Sequence, residues 1–125
     1  MSSPTLQWID THTHLEHEYP FSTDQYLENA RAQGVCTFVT IGTRPHTLTA
    51  LRDLAEKHSD VYFTVGIHPH EAKDFNLEVE KQMDALRMHP KCVGVGEIGL
   101  DYYYDHSPQD VQRQALERQL QLALN

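Results

Sequence analysis

Gln7-Trp8-Ile9-Asp10-Thr11-His12-Thr13-His14 begins as an apolar strand and ends in two histidines two residues apart. Strand side chains alternate faces, so positions two apart point the same way. Two imidazoles at that spacing, at a strand end, can close on one metal ion. Imidazole suits zinc, iron, nickel or copper, and an added carboxylate widens the choice to manganese. Asp10 has the same parity one step back, where it could orient a ligand imidazole through its free ring nitrogen. A lone His-x-His fits ordinary strand-end hydrogen bonding equally well, so the rest of the chain has to decide.

Working outward, Leu6–Asp10 reads as the first strand. Ser22 followed by Gln25 three residues on has the form of a capping box. Tyr26, Leu27 and Ala30 supply an apolar stripe, and Gly34 is placed to end that helix. Val35–Ile41 is a β-branched run, a buried strand by composition. Pro45 fits a first helical position, ahead of Leu48, Leu51, Leu54 and Ala55. Val61–Ile67 is a third strand. Asn76 can cap a helix carrying Val79, Met83 and Leu86, which Pro90 closes. Cys92–Ile98 is the fourth strand. Ser107 as cap, Pro108 and Asp110 in the first turn, and Val111, Ala115, Leu116, Leu120 and Ala123 as inward face make the last helix. The order βαβαβαβα with short connections predicts one domain over 1–125, a parallel sheet covered by helices.

Composition narrows the class further. The chain is 39% hydrophobic and 22% charged, ordinary for a globular domain. No apolar run approaches the roughly 18 residues of a membrane span. Met1-Ser2-Ser3-Pro4 has neither the basic start nor the apolar core of a signal peptide. Those absences predict no membrane association, and Cys36 and Cys92, each in an apolar run, predict two buried thiols in a reducing cytoplasm. The net charge of −8 argues against a basic groove that grips nucleic acid by its phosphates. If the substrate is a phosphodiester, bound metal must supply the local positive field.

Parallel strands point their C-terminal ends at one rim, and sites are built there. His12 and His14 follow strand one, Thr43 and Arg44 strand two, His68 and His70 strand three, and Glu97, Asp101 and Tyr102 strand four. The 9 histidines are many for this length, and four of these fall at the rim. Glu97 closes a strand with little else polar in it. A carboxylate there is costly unless ionised and paired, and a cation held by His12 and His14 would pair it. Gly94 and Gly96 are expected to leave room for a close backbone approach.

Three strings are more specific than the spacing. Ile9-Asp10-Thr11-His12-Thr13-His14, Gly66-Ile67-His68-Pro69-His70 and Gly94-Val95-Gly96-Glu97-Ile98-Gly99-Leu100-Asp101-Tyr102-Tyr103 resemble the TatD family of metal-dependent deoxyribonucleases, in order and spacing. The resemblance implies a TIM-type barrel of the metal-dependent hydrolase superfamily, with one or two divalent ions (Mg, Zn or Mn) at the rim. It implies His12 and His14 as metal ligands, and Glu97 as ligand, bridge between two ions and catalytic carboxylate. Asp10, His68 and Asp101 are placed near the metals or substrate. The implied activity is cleavage of DNA phosphodiesters, single-stranded or from 3′ ends, by metal-activated water. A related hydrolase acting on small amides or esters is the alternative, since one fold hosts several chemistries.

A full barrel of this type takes roughly 250 residues, whereas four βα units are present. The family's further ligands, two histidines and an aspartate, belong to later strands. The chain therefore reads as an amino-terminal half barrel, completed by a carboxy-terminal half or by a second copy in a two-fold dimer, or else as a fragment or assembly module without catalysis of its own. At the remaining positions Asp101 is expected to orient a ligand or cap its loop. Tyr102, Tyr103 and Tyr104 are expected to pack against that loop rather than stack on a base. Arg44 is expected as a solvated turn residue, and Glu16, Glu18, Asp74, Glu78 and Glu80 as a solvated acidic surface.

Overall fold

A computed structural model describes residues 5–125; Met1-Ser2-Ser3-Pro4, read above against a signal peptide, lies outside the described residues. Four parallel strands, β1 (Trp8–Thr13), β2 (Val35–Thr40), β3 (Val61–Val65) and β4 (Cys92–Val95), pair in sequence order. The helices are α1 (Thr23–Ala32), α2 (Leu48–Lys57), α3 (Leu77–Leu86) and α4 (Gln109–Leu124), with short 3-10 turns at Pro45–Thr47 and Pro69–Asp74. This is half of a TIM-type barrel. Among the described residues, no helix is long and apolar enough to cross a membrane.

Pairing, not composition, sets the strand ends. β1 starts later than expected and runs through His12, because its partners on β2 begin at Val35 and end at Thr40. The Trp8 N–H donates to Gly34 O at 2.9 Å and the Ile41 N–H to Thr13 O at 2.9 Å, which close the two ends of the pair. β4 stops at Val95, opposite Val65, and the chain then bends toward β2.

Helix ends follow local chemistry. Ser22 Oγ accepts from the Gln25 N–H at 3.2 Å, and Asn76 Oδ1 accepts from the Val79 N–H at 3.0 Å. The box at Ser22 is half made, since the Gln25 side chain donates to Asn29 instead of reaching back. Gly34 ends α1 with φ +93°, a conformation that favours glycine. Ser107 does not cap α4. Its buried hydroxyl donates to His70 O at 2.9 Å and accepts from the Lys73 N–H at 3.2 Å, tying two loops together.

One face of the sheet is covered. Phe38, Val61, Phe63 and Val65 are fully buried and pack with Leu27, Leu48, Leu51, Ala55 and Met83 from the helices. Val39 and Tyr62, paired in register between them, point the other way and are only half-buried. Ile9 and Val93, on the outer strands, are 61% and 54% exposed. The reading of the thiols is corrected as well: Cys36 is exposed and Cys92 is half-buried at the edge of the core, and both are free.

The inward stripe of α4 differs too. It buries Gln112, Ala115, Gln119 and Leu122, while Leu120 and Ala123 are exposed. The glutamines are inside because backbone groups of the segments after β3 and β4 take their partners from these side chains. Glu80 is likewise not free in solvent, since Arg118 holds its carboxylate at 2.7–3.0 Å.

Candidate metal centre

β1 carries His12 to the rim, and Asp10 Oδ1 accepts the His12 backbone N–H at 3.1 Å. Asp10 thus holds the strand end, whereas the expectation had it orienting an imidazole. Just past His14, buried Leu15 donates its N–H to Thr40 Oγ1 at 3.1 Å, which pins the chain at this point.

Glu97 reaches the same place from β4. Its N–H donates to Gly42 O at 2.7 Å. The approach depends on Gly66, where a Cβ would overlap the Gly96 carbonyl group and lie 2.6 Å from Glu97 N. Gly42 is similarly confined, with Thr64 O 2.7 Å from its Cβ position. The glycines expected to provide clearance do not. A Cβ at Gly96 meets nothing within 4 Å, and one at Gly94 meets only Thr64 Cγ2 at 3.8 Å. Gly66 is crowded by the peptide after β4, and Gly42 by the backbone at the end of β3.

His12, His14 and Glu97 each offer a donor atom, and all three lie within 4.8 Å of one another. His12 Nε2 is 3.5 Å from Glu97 Oε2, and His68 Nε2 is 3.5 Å from Glu97 Oε1. The carboxylate therefore sits between two imidazoles. Two imidazole nitrogens and a carboxylate oxygen are a donor set that fits a divalent transition-metal ion.

His68 has a definable tautomer. Its Nδ1 accepts the His70 N–H at 3.1 Å, so the proton of the neutral ring is on Nε2, facing Glu97. Burial is the largest influence on His68 and pushes its pKa down, with Glu97 acting in the opposite sense. A neutral ring in that tautomer can donate to the carboxylate but has no lone pair to offer a metal at Nε2.

Asp101 caps its loop and pairs with His70 rather than with His12 or His14. Oδ2 meets His70 Nε2 at 2.7 Å, while Oδ1 accepts from the Tyr103 and Tyr104 N–H groups at 3.1 Å each. The Tyr104 N–H, followed by His70, holds the Asp101 carboxyl below the usual carboxylate range. Tyr104 packs on its loop, stacked over His106 with the His70 ring edge-on, whereas Tyr103 is 87% exposed.

Sequence periodicity missed the two glutamines of α4. Gln119 Oε1 accepts the Ile67 N–H at 2.7 Å and its Nε2 donates to Ile67 O at 3.3 Å, one residue before His68. Gln112 does the same for Asp101, at 2.8 and 3.0 Å. Each side-chain amide replaces a strand neighbour for one backbone unit. Gln119→Leu is expected to lower stability by about 2 kcal/mol, because both Ile67 groups lose their partner in a buried place. Denaturant titration of the two proteins checks this.

Glu16 and His17 were also missed. Glu16, read as a solvated acid, has a side chain only 3% exposed beside His14 and His17. The cluster was visible in the string His14-Leu15-Glu16-His17, whose tight turn stacks the His14 and His17 rings at 4.9 Å. A cavity of about 330 Å³ opens among His12, His14, His17, His68, His70 and Glu97, with Thr43, Arg44 and Glu71 at its border. Arg44 is not simply solvated there, its Nε being 3.5 Å from Glu71 Oε1.

Fold and rim together define the class: an α/β chain of the barrel type, with an imidazole–carboxylate donor cluster where the strands end. The sequence matches the family model of the TatD related DNases over residues 9–125. The chain belongs to that family. It is 36% identical over 116 residues to the uncharacterized metal-dependent hydrolase YabD of Bacillus subtilis (strain 168), covering 92% of this chain and 46% of that protein. It is 36% identical over 100 residues to the 3'-5' ssDNA/RNA exonuclease TatD of Rahnella sp. (strain Y9602), covering 79% of this chain and 38% of the exonuclease. The crystal structure of YjjV, a TatD homolog from Escherichia coli K12, superposes with a TM-score of 0.80 at 34% identity, over 93% of this chain and 46% of YjjV. The chain thus spans less than half the length of these relatives.

Proposed function

We propose that this chain supplies the His12–His14–Glu97 part of a divalent-metal hydrolase centre that cleaves DNA phosphodiesters, in single strands or at 3′ ends. The convergence of those three donors within 4.8 Å carries the reading. Similarity to an exonuclease that acts on single-stranded nucleic acid supports the substrate class. The nitrogen-rich donor set suits zinc or manganese better than magnesium, which prefers oxygen ligands. A divalent ion there would activate water and neutralise charge on the phosphoryl oxygens.

The chain's own groups supply the setting. Glu97 contributes the anionic ligand, with His68 placed to donate to it. Asp101 holds His70 at the cavity edge. Arg44 offers a cation at the border for a substrate phosphate, and the exposed Tyr103 ring offers a face for base stacking. We take residues 1–125 as one domain, the amino-terminal half of the barrel. Four further βα units complete it, from the rest of a longer polypeptide or from a second copy of this chain. Intact mass and sedimentation of the native protein separate the two: a polypeptide near twice 14.4 kDa supports the first, and a dimer of 14.4 kDa chains the second.

The test of function is turnover by the completed protein with added zinc or manganese, comparing single-stranded DNA with small esters and amides. DNA cleavage that His12→Ala and His14→Ala abolish is the expected result. Turnover of small substrates alone favours the second reading, to which the net charge of −8 lends support. Turnover of neither in the completed protein overturns both.

Metal occupancy carries its own pH signature. A ligating imidazole must be neutral, and imidazole ordinarily titrates near about 6.5. Occupancy should be full at pH 7.5 and fall as the pH drops below about 6. Metal content after dialysis at pH 7.5 and pH 5 checks this, and equal content at both counts against histidine ligation.

A further inference from the structure

A second group of donors converges on the other side of His14. His14 Nδ1 is 3.5 Å from Glu16 Oε1, and His17 Nε2 is 3.6 Å from the same oxygen. At these separations hydrogen bonding is marginal, and His14 Nδ1 and Glu16 Oε2 are both buried without a hydrogen-bond partner. Among the described residues, only Thr43 Oγ1 donates to the carboxylate, at 3.4 Å. A carboxylate with a side chain 3% exposed is unfavourable as an anion unless positive charge faces it.

The spacing itself indicates what would satisfy these atoms. Nitrogen and oxygen ligands about 2.0–2.1 Å from a tetrahedral zinc ion stand about 3.4 Å apart. The turn that presents them is already formed. The His17 N–H donates to His14 O at 3.3 Å, and the two rings lie within 11° of parallel.

We propose that His14, Glu16 and His17 form a second seat for a divalent transition-metal ion, bound through His14 Nδ1, a Glu16 carboxylate oxygen and His17 Nε2. It is a two-imidazole, one-carboxylate set, with its remaining position open toward the cavity that His17 borders. A neutral imidazole has one lone pair for a metal, so His14 serves this seat or the His12–Glu97 set, one at a time. The seat adjoins the centre proposed above and shares His14 with it, but it needs neither His12 nor Glu97.

Cobalt(II), a visible-absorbing substitute for zinc, is the probe. Metal-free chain is titrated with it, reading absorbance and equilibrium dialysis, with circular dichroism as the check on folding. The double variant His12→Ala/Glu97→Gln should still bind one cobalt ion per chain. Adding His17→Ala should weaken that binding at least tenfold; His17 is half exposed, so the fold should tolerate it. Adding Glu16→Gln instead should do the same. If the double variant binds no cobalt while the wild type does, the seat is refuted and the strand-end centre stands. If the wild type binds none, both are refuted. Equal affinity with and without His17 also refutes the seat.

Discussion

In a His17→Ala background, which silences the second seat, Glu97→Ala is expected to abolish divalent-metal binding while leaving the fold in place. Among the described residues, Glu97 is the one carboxylate that joins both His12 and His14 within donor range, and without it two imidazoles remain in that set. The affinity loss should exceed the roughly 10–100-fold that follows loss of an outer hydrogen-bond partner. The side chain is about one-third exposed, so folding stability should change by less than about 1 kcal/mol. Calorimetric titration with zinc reads the first quantity and thermal unfolding the second. An affinity within tenfold of the His17→Ala parent would remove Glu97 from the ligand set.

Gly66→Ala is expected to lose stability and metal together. The added Cβ meets backbone atoms of Gly96 and Glu97, which no rotamer change can relieve. The segment must move, breaking the Glu97 N–H to Gly42 O bond that sets the carboxylate against His12. Overpacking of this kind costs about 1–3 kcal/mol, and the displaced carboxylate should lower zinc affinity by a further factor of about ten or more. Gly94→Ala is the matched control, since its nearest contact is an ordinary 3.8 Å and its stability should stay within about 1 kcal/mol. Equal behaviour of the two variants would show that close packing at Gly66 does not place Glu97.

The two variants divide the site into what binds and what positions. His12, His14 and Glu97 supply donor atoms, whereas Gly66, Gly42 and Gln119 put strand-end backbone where those donors meet. A mutational scan guided only by charged and imidazole side chains would overlook the second group.

Much of this was legible in the sequence. The alternation of β-branched runs with apolar stripes at helical spacing gave four βα units in order, because those periods come from local geometry. Ser22 and Asn76 declared their helix starts, since a short polar side chain satisfies an N–H three residues away. His-x-His and the rim glutamate were readable because donor chemistry belongs to the residue type, and the three strings tied them to a family. What only the tertiary structure decided is which face each element buries and which partner each polar group finds. Cys36 is exposed although Phe38 and Thr40, at the same strand parity, are fully buried, a difference that residue type does not signal. Gln112 and Gln119 are buried because α4 passes over backbone groups that lack a strand neighbour. Glu16 lies inside because the turn after β1 folds it against His14. Gly66, and not Gly96, gives the clearance because the chain after β4 crosses it. Periodicity and residue chemistry act within a few residues of sequence, while burial and hydrogen-bond partnership are set by segments thirty or more residues away.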